Sequence, residues 1–77
     1  MSVKVLFFAS LRERLGRSEM LLDSNSALSV REVWEQGSGE ASLPANVLVS
    51  VNHVYADAET SVKPGDEVAF FPPVTGG

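Results

Sequence analysis

The stretch Val3-Lys4-Val5-Leu6-Phe7-Phe8-Ala9 is rich in β-branched and aromatic residues and almost unbroken in apolar character, which predicts a central strand covered on both faces. Side chains alternate along a strand, so Val3, Val5 and Phe7 share one face while Lys4, Leu6 and Phe8 share the other. Directly after it, Ser10-Leu11-Arg12-Glu13 fits a capping box, and Gly16 offers a left-handed stop. That pattern predicts a short helix over 11–15. Residues 18–23 read as a second strand, broken by Ser24-Asn25-Ser26.

Further along, Ser29 and Glu32 form a second capping box, with Leu28 and Val33 placed to make a hydrophobic staple. Val30, Val33 and Trp34 fall on one face of the helix that begins at Ser29, so that face should bury against the sheet. Gly37 and Gly39 are expected to end the helix early, and residues 37–46, with Gly, Ser and Pro, read as a loop. Residues 47–52 alternate Val with mixed residues and predict a strand, followed by a turn at Asn52-His53 and an edge strand over 54–56. Lys63-Pro64-Gly65-Asp66 has the proline and glycine that a type II turn demands at its second and third positions. Glu67-Val68-Ala69-Phe70-Phe71 is then the last strand, and Pro72-Pro73 ends it because proline cannot donate to a ladder. The order is strand, short helix, strand, helix, two strands and a final strand, which suits an α+β fold with a mixed sheet packed on one principal helix.

The chain has 77 residues, enough for one domain over 1–77 and too few for a second lobe. A chain of this size buries only roughly 60% of its unfolded surface, which leaves little interior for an enclosed active site and counts against an enzyme that works alone. Hydrophobic residues at 44% and charged residues at 21% match a folding globular chain. A formal net charge of −4, with Arg and Lys scattered, argues against nucleic acid as a partner. No apolar run approaches the ~20 residues of a membrane span, and Met1-Ser2-Val3-Lys4 does not read as a leader, so a cytoplasmic location is expected. With no cysteine there is neither a disulfide framework nor a thiolate nucleophile, and a single histidine without a carboxylate cluster supplies no metal site. His53 lies beside a turn with no signposted nucleophile and reads as a surface histidine. Asp57 with Glu59, and Asp66 with Glu67, read as solvated turn acids rather than as an acid–base pair. The glycines form neither a G-x-G-x-x-G motif nor a P-loop.

Chemistry is better placed in Val74-Thr75-Gly76-Gly77, which follows the Pro-Pro spacer on a core strand. Glycines without side chains let backbone thread a channel too narrow for a Cβ, and the group delivered at the end is a carboxylate. Residues 72–77 are thus expected to form an extended tail, with 74–77 mobile in the isolated protein.

Two segments, Lys4-Val5-Leu6-Phe7-Phe8-Ala9 with Leu11-Arg12-Glu13 and Gly16, and Gly65 onward through Asp66-Glu67-Val68-Ala69-Phe70-Phe71-Pro72-Pro73-Val74-Thr75-Gly76-Gly77, closely resemble the small subunits of molybdopterin synthase, with Val51-Asn52 a further match. The helix after Ser29 and its following loop look shorter than is common in that family. The resemblance implies a ubiquitin-like β-grasp fold and a sulfur carrier that binds no cofactor of its own. In such carriers an activating enzyme uses ATP and magnesium to adenylate the terminal carboxylate, here that of Gly77, which is then converted to a thiocarboxylate. The tail, with Gly76 allowing passage, would enter a large catalytic subunit, in a heterotetramer by family pattern, and give sulfur to a cyclic pyranopterin precursor of the molybdenum cofactor. The sulfur carrier of thiamine biosynthesis and a ubiquitin-like modifier joined to lysines through Gly77 are the competing readings.

Strand alternation places Val5, Phe7, Val68 and Phe70 toward the helix with Val33 and Trp34, and so turns Phe8, Ala69 and Phe71 to the opposite side. Neighbouring exposed aromatics mark an interaction site, and these lie at the root of the tail. By resemblance, Tyr55 and Arg12 are expected as rim contacts, and Pro72, Pro73, Val74 and Thr75 accompany the tail into the partner.

Overall fold

The computed structural model describes residues 2–24, 26–41, 43–44 and 46–72. β1 (Ser2–Phe7) is followed by α1 (Ala9–Leu15), β2 (Glu19–Asp23), β3 (Leu28–Ser29), α2 (Val30–Ser38), β4 (Leu48–Val51), β5 (Val54–Ala56), β6 (Ser61–Val62) and β7 (Glu67–Phe71). Five strands form a mixed sheet in the order β2-β1-β7-β4-β5, in which β1 and β7 run parallel and the other neighbours antiparallel. The two short strands β3 and β6, which local patterning does not announce, pair as a separate ribbon.

β1 is central, as its composition predicts, but only one of its faces is deeply covered. Val3, Val5 and Phe7 are buried, whereas Lys4 is exposed and Leu6 half-buried. The reason is a two-layer arrangement, with α2 covering one side of the sheet and the other side left open. Against that side α2 lays Val30, Val33 and Trp34, all fully buried. Trp34 meets Phe70 edge-on with ring centroids 5.0 Å apart, Phe7 stacks on Phe70 at 5.9 Å, and Phe7 and Trp34 lie 6.2 Å apart. Offset and edge-on pairs of this kind add to the free energy of area burial.

The capping box of α2 forms: the Glu32 amide donates to Ser29 Oγ at 3.2 Å and the Ser29 amide to Glu32 Oε1 at 2.9 Å. Leu28 is half-buried against the core in front of it. Two further free amides of the first turn donate outward, Val30 N–H to the Thr60 carbonyl and Arg31 N–H to the Ala58 carbonyl, so the 58–60 turn anchors the helix start. The expectation that Gly37 stops α2 is overturned. Gly37 is buried within the helix, where a Cβ would stand 3.4 Å from Met20 Sδ and 3.5 Å from Phe7 Cζ, and Gly39 at φ 78° provides the stop. Gly37 marks close approach of helix to sheet.

The Ser10 capping box is also overturned. α1 begins at Ala9 with Phe8 at its N-cap and no side-chain cap, because the chain turns directly off the strand. Phe8 N–H still donates to the Phe70 carbonyl at 3.1 Å, and its carbonyl accepts from Leu11 N–H at 3.1 Å. Gly16 closes α1 in the left-handed conformation as read.

Asn52 and His53 both take positive φ, 52° and 70°, which matches the twist of the two-residue β4–β5 hairpin. Asn52 also clasps the neighbouring turn. Its amide nitrogen donates to Asp66 Oδ1 at 3.1 Å and its Oδ1 accepts from the Glu67 amide at 3.0 Å, while Asp66 Oδ2 accepts from the Lys63 amide at 2.9 Å. Asp66 itself closes the turn with Gly65 at φ 98°. The Lys63 backbone donor, with Asn52 beside it, holds the Asp66 carboxyl below its usual 3.8.

Because the folded-state value is depressed, ionised Asp66 stabilises the fold above the unfolded-state value and that contribution disappears as pH falls through the folded-state value. Asp66→Asn should therefore lower thermal stability at pH 7 by at most about 1 kcal/mol, as for one part-exposed charged hydrogen bond. The gap to wild type should narrow in melts recorded below pH 3.8; an unchanged gap across that range would remove Asp66 from the clasp's energetics.

Candidate functional site: the open sheet face

The face of the sheet turned away from α2 is built from alternate residues of the same strands that make the core. Register sets Leu6 beside Ala69, Ala69 beside Ser50, and Ser50 beside Tyr55. One row further along, Leu48 pairs with Phe71, and Phe8 continues the β1 ladder beside it. The Phe8 ring meets Phe71 edge-on at 6.4 Å, and Tyr55 tilts against the other side of Phe71 at 6.0 Å. Three aromatic rings thus form one cluster at the C-terminal end of β7.

Phe8 is 46% and Tyr55 75% exposed, with Phe71 half-buried between them. Ala69 faces the same side, but at 8% exposure it is a floor under its larger neighbours rather than an exposed contact, which corrects that part of the expected docking set. Arg12 is exposed one helical turn beyond Phe8, and Pro72 is half-buried where β7 ends. Pro73, Val74, Thr75, Gly76 and Gly77, on which the expectations of an extended mobile tail and a reactive end fall, lie outside the described residues. Leu48 and Leu6 belong to this face although neither stands out in the sequence. Alternation within β1 and β4 assigns them a side, but only the pairing shows which residues they join.

The other titratable groups do not converge. His53 Nε2 lies 3.3 Å from Glu67 Oε2 with the imidazole almost fully exposed, consistent with a surface histidine. Asp57 Oδ1 is occupied by the Glu59 amide and the Thr60 hydroxyl within its own turn. Lys4, Arg14 and Arg31 are each matched by a carboxylate, of Glu19, Glu40 and Glu59 respectively, so they do not combine into a basic patch. Among the described residues no helix is long and apolar enough to cross a membrane. The open face therefore presents an apolar aromatic cluster at the end of the last strand, with the Tyr55 hydroxyl as the polar group on its rings.

Residues 5–77 match the ThiS family. The chain belongs to that family. It is 41% identical over 80 residues to a molybdopterin synthase sulfur carrier subunit from Haemophilus influenzae, covering 97% of this chain and 99% of the relative. To the molybdopterin synthase sulfur carrier subunit of Escherichia coli it is 38% identical with the same coverage. Among solved structures it resembles SAMP1, a small archaeal modifier protein from Haloferax volcanii, with a TM-score of 0.78 and 27% identity over the full length of both chains. The ubiquitin-like β-grasp expectation is thereby met.

Ala9, the first residue of α1, is a non-glycine residue at φ 53°. A Cβ in that region costs on the order of 1–2 kcal/mol. Ala9→Gly should raise stability to denaturant by about 1 kcal/mol, and a loss instead would show that the Ala9 methyl is held by contacts worth more than the strain.

Proposed function

We propose that this chain is the sulfur carrier subunit of a molybdopterin synthase, carrying sulfur as a thiocarboxylate on Gly77. What supports the reading most is the Phe8–Phe71–Tyr55 cluster at the end of β7, in a chain 41% identical to a sulfur carrier subunit. A carboxylate is a poor electrophile. Attack of the Gly77 carboxylate on the α-phosphate of ATP, with loss of pyrophosphate, gives an acyl-adenylate whose AMP is a good leaving group, and a sulfur nucleophile then displaces it. ATP and magnesium belong to an activating enzyme, and the carrier contributes only the end of its chain.

In the second step the aromatic cluster docks on a large catalytic subunit, Phe71 as the anchor and Phe8, Arg12 and Tyr55 around it. Pro72, Pro73, Val74 and Thr75 lead Gly76 and Gly77 into the partner's pocket, where sulfur passes to a cyclic pyranopterin precursor. The acid and base of that reaction come from the large subunit, so the chain is not catalytic alone. Two carriers and two large subunits would make a heterotetramer, in the cytoplasm where ATP-dependent activation takes place.

The alternative favoured by the likeness to SAMP1 is a protein modifier attached through Gly77 to lysines. Activation is common to both fates, so the mass of the mature protein separates them. A C-terminal thiocarboxylate in protein isolated from its native cells is the expected result, and isopeptide-linked targets without it would assign the modifier role. Deleting Gly77 should abolish precursor conversion by the reconstituted synthase while leaving the melting temperature unchanged; retained conversion would end the carrier mechanism.

Docking has its own test. Phe71→Asp should weaken binding of the large subunit by about 2 kcal/mol, roughly thirtyfold in Kd, as for a buried aromatic anchor, with little change in the melt. Wild-type affinity would remove Phe71 from the interface, and collapse of the fold would place it in the core.

A further inference from the structure

Beside the aromatic cluster the sheet ends in an open groove of about 600 Å³. It lies where β5 parts from β4: after Ala56 the chain turns away toward the start of α2, while β4 continues back to Val47 and the segment holding Leu43 and Pro44. Leu43, Pro44, Val47, Leu48, Tyr55 and Ala56 supply its apolar lining. Leu43, Val47 and Ala56 are only partly buried, packed on the core from one side and open to the groove on the other.

The two charged side chains on the rim are already engaged. Arg31 Nη2 lies 2.6 Å from Glu59 Oε1, and Asp57 Oδ1 accepts from the Glu59 amide at 2.9 Å and from Thr60 Oγ1 at 3.2 Å. A charged or strongly polar small molecule would compete with these contacts for Arg31 Nη2 and Asp57 Oδ1. An uncharged apolar group has only water to displace from partly exposed hydrocarbon.

Leu48 and Tyr55 belong to both surfaces. Leu48 pairs with Phe71 and Tyr55 tilts against its ring, yet both line the groove, so the cluster and the groove are one apolar surface folded over the β5 edge. The hairpin phase adds a polar feature at the same place. With Val51 and Val54 closing the two-residue turn as a hydrogen-bonded pair, the Tyr55 N–H and C=O point away from β4, out of the edge.

We propose that the groove is a second contact of the same large subunit, which passes an uncharged apolar segment over the β5 edge and seats one or two side chains between Leu43, Val47 and Ala56. This rests on the reading of the aromatic cluster as that subunit's docking face. The contact widens the interface from a patch at the base of the tail to a grip on two sides of the sheet edge, which restrains rotation of the carrier about its own tail.

The natural chain has no cysteine, so single cysteines report accessibility site by site. Leu43→Cys in the groove, Tyr55→Cys on the shared rim and Leu21→Cys on β2, whose side chain is 68% exposed on the far edge of the sheet, are each alkylated with a maleimide, free and in complex with the large subunit. Melting curves check that each variant folds. The proposal expects the complex to slow alkylation at positions 43 and 55 by at least roughly tenfold, as when an interface excludes water, with position 21 unaffected. Protection at 55 with free reaction at 43 would overturn the groove contact while leaving the docking face intact. No protection at either would remove the docking face itself. Protection at 43 in the carrier alone, growing with its own concentration, would assign the groove to a second copy and overturn the proposal.

Discussion

The parallel ladder joining β1 to β7 sets two faces of the molecule at once. In its register Val5 lies beside Val68 and Phe7 beside Phe70 on the side of α2, while Leu6 lies beside Ala69 on the other. The ladder then continues through Phe8 N–H to the Phe70 carbonyl, which carries Phe8 to Phe71. Because the side-chain period of a strand is two, a slip of one residue would exchange the roles of Phe70 and Phe71. The core would lose the ring that Trp34 and Phe7 pack on, and the open face would lose the centre of its cluster. The core and the aromatic cluster of the open face therefore share one determinant.

That coupling explains how a small domain presents an apolar patch without losing its core. α2 covers one face of the sheet fully, and its Gly37 allows the approach to be close. Among the described residues no second helix covers the opposite face, since α1 is only seven residues long and buries Leu11 alone. The chain instead gives the exposed face small or polar residues, Ser50 and Ala69 across the middle and Lys4 with Glu67 toward one end, and confines its rings to the other end, where β7 exits. The exposed aromatic rings are thus gathered at the exit of β7, while the other strongly exposed apolar side chains, Leu21 and Val54, stand apart on the edge strands β2 and β5.

The turns opposite that exit are held by polar contacts. Asn52, Asp66 and Lys63 tie the β4–β5 hairpin to the turn before β7, and Gly65 N–H donates to the Ser2 carbonyl, so the three strands at the centre are fixed at the end remote from the cluster. Asn52, which the sequence marks as a turn residue and Val51-Asn52 as a point of likeness, has a further role across the turn: it tolerates positive φ and offers both a donor and an acceptor to the neighbouring turn.

Local chemistry in the sequence was sufficient for much of this. The capping box at Ser29, the stop at Gly16, the Lys63-Pro64-Gly65-Asp66 turn and the alternation that separates Phe70 from Phe71 all depend on residues within a few positions of one another, and all appear in the structure. The sequence was misleading where a residue's surroundings come from elsewhere in the chain. Gly37 reads as a helix stop until β1 and β2 are placed beneath it, and Ser10 reads as a cap until the Phe8 carbonyl is seen to receive Leu11. Ala69 reads as exposed until its neighbours on the sheet shield it. The β3–β6 ribbon and the groove beside Leu43 are likewise products of strand pairing and chain path. Periodicity tells which side of its own element a residue takes, but its neighbours on that side are set by register between segments as far apart in sequence as Lys4 and Glu67, and only the folded chain brings those together.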